Sequence, residues 1–110
     1  MKEMTIRMPE PVKLKINGHI FQLQKSDVEI LHMVQDAKRK YEGRDISGVD
    51  GALEAACDLQ RMIDGILGKG ATRKLSGCDR PGLAFSYHML TEIAQGAVEA
   101  CAQALEEAYA

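Results

Sequence analysis

Apolar and polar positions alternate with two different periods along this chain. From Val12 to Leu23 the period is two: "VKLKINGHIFQL" places two alternating runs around Asn17-Gly18. Asn-Gly suits the two positive-φ positions of a type I′ turn, whose twist matches a two-residue hairpin. In that register Ile16 faces His19, Leu14 faces Phe21 and Val12 faces Leu23, and all six share one face of the ribbon. Lys13, Lys15 and Gln22 point the other way, with Ile20 the one apolar residue among them. An isolated hairpin is marginal in water, so the Val12/Leu14/Phe21/Leu23 face is expected to rest on helices. Ile6 and Met8 continue the alternation upstream and would add a short edge strand before Pro9; otherwise 1–11 is a flexible leader.

After Lys25 the period becomes helical. Ser26 with Glu29 three residues on forms a capping box, in which the hydroxyl accepts from a first-turn N–H and the Glu reaches back. Asp27 adds a favourable charge at the positive helix end. Ile30, Leu31, Val34, Ala37 or Lys38, and Tyr41 define one face of a helix over about 26–42, with Gly43 its expected stop. The polar link Gly43–Gly51 offers Ser47 or Asp50 as the next cap. A second helix over about 50–67 carries two stripes, Leu53/Ala56/Cys57/Gln60/Ile63/Leu67 and Ala52/Leu59/Met62/Ile66, which predicts the most buried helix. A short helix over about 70–76 follows. Pro81 suits the first turn of a last helix, about 81–107. Its seam is Leu83, Tyr87, Leu90, Ala94, Ala97, Cys101, Leu105 and Ala108. A second stripe, Phe85, Met89, Ile93, Gly96 and Ala100, lies well round the cylinder. One stripe is expected to face the core and the other a second copy or a partner, with Gly96 and Ala100 allowing close approach. The expected fold is thus α+β, mostly α: an N-terminal hairpin (about 12–23) on three main helices and a short one. At 110 residues it is a single domain, 1–110.

Candidate chemistry adds little. "DGILGKGATRKLSG" (64–77) looks at first like a phosphate loop, but Gly68-Lys69 is followed by Gly70 rather than Ser or Thr. Ile63 stands where the first loop glycine belongs, and a helix, not a strand, precedes it. The middle residues of Gly65-Ile66-Leu67-Gly68 are apolar, unlike a nucleic-acid clamp. The expected role is a joint: Gly68 a C-cap in the left-handed region, Gly70 the turn. His19, His32 and His88 are dispersed without metal-ligand spacing; His32 has only Asp36 at i+4, and His19 edges the apolar hairpin face. Asp36, Glu54 and Asp64 fall on helix faces that read as solvated. No nucleophile motif occurs. No catalytic residue, metal or cofactor is therefore expected, and the chain reads as non-enzymatic. Cys57, Cys78 and Cys101 form no C-x-x-C pair and read as reduced thiols of a cytoplasmic protein. The start "MKEMTIRMPEP" has no apolar core of a signal peptide, and no run approaches the roughly 20 apolar residues of a membrane span. Net charge is −2, so nucleic acid is a poor partner overall. The basic residues Arg39, Lys40, Arg44, Arg73 and Lys74 keep a small nucleic-acid-binding regulator as one alternative.

Two segments together carry a family resemblance. "LKINGHIFQLQKSDVEI" runs an Asn-Gly hairpin straight into a Ser-capped helix; "MIDGILGKGATRKLSG" ends a helix in G-x-G and restarts it with a basic amphipathic turn. In this order, before a long last helix, they resemble tail assembly chaperones from the tail gene modules of long-tailed phages and prophages of Gram-positive bacteria. The likeness covers roughly Leu14 to Leu75; the alanine-rich end "AVEACAQALEEAYA" agrees only in being helical. It implies a bacterial cytoplasmic protein that acts by protein–protein contacts on tape-measure and tail-tube proteins and self-associates. The family offers no catalytic residues. A structural tail or virion accessory protein is the other alternative.

Overall fold

The computed structural model describes residues 1–6, 10–42 and 48–109, arranged as a hairpin and four helices. β1 (Lys13–Ile16) and β2 (His19–Gln22) are antiparallel, pairing Leu14 with Phe21 and Ile16 with His19. Asn17 at φ 49 and Gly18 at φ 83 form the turn between them. A bond from Leu23 N to Val12 O, 2.9 Å, extends the ladder by one pair. Ile6 is exposed and in no strand, and Met8 and Pro9 lie outside the described residues. At the hairpin's far end Gln24 N donates to Ile66 O at 2.8 Å, tying the ribbon to the helical body.

α1 (Asp27–Tyr41) starts at Ser26, whose Oγ accepts from Glu29 N at 3.2 Å. The Glu29 carboxylate reaches back to the Ser26 hydroxyl, 3.3 Å, rather than to a backbone N–H. α1 ends at Glu42; the expected stop, Gly43, lies outside the described residues. α2 (Val49–Leu67) has Gly48 as its N-cap with no side-chain bond, so Asp50 contributes charge to the first turn rather than a cap, and Ser47 is not among the described residues. α3 (Ala71–Ser76) is a turn and a half between Gly70 and Gly77, both left-handed. α4 (Leu83–Tyr109) has 27 residues, about 40 Å at 1.5 Å per residue. The outline is elongated, 59 × 33 × 24 Å. Pro81 precedes it: the first bond of the helix runs from Ser86 N to Gly82 O.

The core forms where α1, α2, α4 and the hairpin converge. Ile30, Leu59, Ile63, Ile66 and Leu90 are fully buried, with Phe21, Ala37, Ala94 and Ala97 around them. On α4 the expected seam is buried at Leu90, Ala94 and Ala97, but Leu105 is 59% exposed and Ala108 is also open to solvent. On α2 the buried line is Ala55, Leu59, Ile63, Ile66 and Leu67. It takes Leu59 and Ile66 from the second expected stripe, with Ala55 beside them, and Ile63 and Leu67 from the near side of the first. Leu53 is left 56% exposed and Cys57 is exposed as well. On α1, Ala37 rather than Lys38 faces inward, and Leu31 is exposed beside Val28.

Candidate functional site

The hairpin settles on α4 along the second apolar stripe. Met89 and Ile93 are 9% and 4% exposed, and the position a Cβ would take on Gly96 lies 3.8 Å from a Leu14 methyl. The stripe is therefore largely a seat for the hairpin within one chain. Phe85, at its end, stays 46% exposed, and Ala100 is half-buried. Where hairpin and helix diverge they leave a groove of about 520 Å³ lined by Phe85, Met89, Ile93 and Gly96, so four of the five stripe residues meet there. Its far wall is Leu14 and Ile16 with Leu75 of α3, and Lys15, Asn17, His88 and Glu92 supply the polar rim. An apolar floor inside a polar rim is the usual form of a protein-binding surface.

A second apolar region lies between α2 and the start of α4. Leu53, Ala56 and Cys57 of α2 line a groove of about 500 Å³ with Pro81 and Leu83. Leu83 also borders a neighbouring groove of about 490 Å³ with Tyr41, Leu59 and Tyr87. Beside it, Tyr41 Oη donates to the Asp58 carboxylate, and Lys40 Nζ approaches the same oxygen at 3.1 Å. Burial works to raise the Asp58 pKa, but the Tyr41 and Lys40 hydrogen bonds and the charges of Lys40 and Arg61 together hold it below its ordinary value. Burial, reinforced by the bond to Asp58, raises the Tyr41 phenol. This cluster clamps the end of α1 to the middle of α2.

"DGILGKGATRKLSG" is an anchored corner. Gly68 caps α2 at φ 112, ψ 160, a positive-φ extended conformation rather than the left-handed helical one expected; Gly70 takes the left-handed one at φ 82, ψ 3. Gly70 begins α3 without a side chain to cap it. Asp64 supplies the missing acceptor from the preceding helix: Thr72 N donates to its Oδ1 at 2.8 Å, Thr72 Oγ1 at 2.7 Å, and Gly70 N lies 3.4 Å from Oδ2. Asp64 is thus half-buried and engaged, where the sequence reads as solvated. Thr72 stands eight residues after Asp64, across the corner, so no local cap pattern announces the contact. Ser76 closes the other end, Oγ donating to Thr72 O at 2.7 Å.

The basic residues do not gather into one free patch among the described residues. Lys40 is paired with Asp58, and Arg73 with Asp79 at 3.0 Å; Arg44 lies outside them. His19 packs beside Phe21, ring centroids 6.2 Å apart, while His32 and His88 are exposed. Among the described residues no three His, Cys, Asp or Glu side chains converge as a metal site would require, and no helix is long and apolar enough to cross a membrane. The chain matches no family model, no curated protein and no solved structure.

Proposed function

We propose that this is a non-enzymatic protein-binding scaffold of the tail assembly chaperone type, acting in the bacterial cytoplasm on tape-measure and tail-tube proteins and associating with copies of itself. The observation that carries this reading is the groove between hairpin and α4: an open apolar floor inside a polar rim, suited to a polypeptide rather than to a small polar substrate. Further support comes from the large apolar side chains left exposed elsewhere, Val49, Leu53 and Leu105, since apolar surface of this kind favours partners. The Asn17-Gly18 hairpin and the Gly68/Gly70 corner are the two segments on which the family resemblance rests.

Co-expression tests the reading. With the tape-measure protein of the same tail gene module, the chain is expected to co-purify and keep the tape measure in solution. A tape measure that stays insoluble with or without the chain, or a soluble one that elutes separately from it, would contradict it. Mass spectrometry of purified particles separates a chaperone from a structural tail component, because only the latter stays in the virion.

A further inference from the structure

The two edges of the hairpin are not equivalent. In a two-residue hairpin with Ile16 facing His19, the inward-bonded residues of β1 are Ile16, Leu14 and Val12, the last confirmed by the Leu23 N to Val12 O bond. The backbone N–H and C=O of Lys13 and Lys15 therefore point away from β2. Among the described residues no backbone bond reaches them. On the opposite edge one acceptor is occupied: the Gln24 side-chain amide donates to Gln22 O at 2.9 Å. β1, not β2, borders the groove over Phe85 and Met89.

We propose that the free edge of β1 is a strand-addition site, and that its occupant is an extended segment of a partner protein alternating apolar and acidic residues. This rests on the protein-binding reading above and names its partner class. A strand laid beside β1 would take its backbone bonds from Lys13 and Lys15, about 4.8 Å away. Successive side chains would then fall on opposite faces. Those on the Leu14/Ile16 face descend into the groove against Phe85 and Met89, and must be apolar; Glu92 on the rim repels an acid there. Those on the other face stand beside Lys13 and Lys15, both exposed. Residues 11–26 carry Lys13, Lys15 and Lys25 and no acid, so acidic side chains are the complement. The same lysines disfavour a second copy as occupant: β1 paired with β1 would set lysine against lysine, the usual way an edge is protected from self-association.

The test uses the full chain and two fluorescein-labelled eight-residue peptides, one alternating Val with Glu and one alternating Val with Lys. The Val/Glu peptide is expected to bind at least tenfold more tightly by fluorescence anisotropy, with slowed hydrogen exchange at the Lys13 and Lys15 amides. Lys15→Pro removes the outward N–H while leaving the inner ladder intact, and is expected to lose this binding with an unchanged far-UV circular dichroism spectrum. Lys13→Glu with Lys15→Glu keeps the backbone edge and is expected to reverse the peptide preference. Equal affinity for both peptides, undiminished binding by Lys15→Pro, or an unreversed preference in the double variant overturns the proposal. The two readings fail separately. If Lys15→Pro still co-purifies with the tape-measure protein as the parent does, the edge is not the site but the binding role stands. Peptide binding that needs the Lys15 N–H, with no tape-measure complex, sustains the edge and removes the tail-assembly reading.

Discussion

Asp64 stands in for the side chain that Gly70 lacks. Its carboxylate takes two bonds from Thr72 and lies near a third donor, Gly70 N, so Asp64→Ala leaves the first turn of α3 uncapped. The expected cost is about 1–2 kcal/mol, measured by urea denaturation. The two glycines of the corner separate by conformation, since a Cβ at either would meet nothing within 4 Å. Gly68, at φ 112 and ψ 160, sits where only glycine is comfortable, and Gly68→Ala should cost about 1–3 kcal/mol. Gly70→Ala, in the ordinary left-handed region, should cost about 1 kcal/mol. Equal losses would contradict that distinction. Ser86 gives the opposite sign. It is fully buried and its Oγ has no partner, so Ser86→Ala is expected to leave the melting temperature unchanged or raise it. These residues also mark the limit of sequence reading. Asn17-Gly18 was legible because two adjacent residues dictate the turn. Asp64 was not, because its role depends on the angle at which the chain leaves α2, and no helical period encodes that angle.

At the scale of elements, each helix was legible and its buried face less so. α2 shows why. Its apolar residues cover two sides, so periodicity defines two stripes, while packing buries the second at Leu59 and Ile66 and takes only Ile63 and Leu67 from the first. On α4 the second stripe is apolar because the hairpin sits on it, and sequence pattern alone does not separate an intramolecular seat from an intermolecular one. Gly96 tests this assignment. An added Cβ there meets Leu14 methyls at ordinary contact distances of 3.8 and 4.0 Å, and alanine favours helix over glycine by about 1 kcal/mol. Gly96→Ala should therefore stabilise the fold modestly. The α1–α2 clamp has a pH signature. Asp58 has its folded pKa held below the ordinary carboxylate value, so its contribution is present above that ordinary value and is lost as pH falls through the folded pKa. Tyr41 and Lys40 have raised values, so their contributions hold below their unfolded pKa values, near 10, and fade as pH rises through the folded ones. Asp58→Asn should flatten the acid limb of a stability–pH profile, and Tyr41→Phe should cost about 1 kcal/mol at neutral pH.

The molecule as a whole is a helical body with a small ribbon laid across its longest helix, leaving one strand edge and one groove side by side. The groove's apolar floor comes from α4 and its polar rim from both elements, so the site exists only when the hairpin is seated. Changes that unseat the ribbon should abolish binding before they unfold the helices. Self-association, if carried by Leu53 or Leu105, would leave this groove open to a partner. The most direct measurement is hydrogen–deuterium exchange of the chain alone and in the presence of the tape-measure protein. Slowed exchange concentrated in residues 13–16 and 85–93 is the predicted result. Unchanged exchange throughout the chain, or protection confined to the exposed end of α4 beyond Cys101, would contradict it.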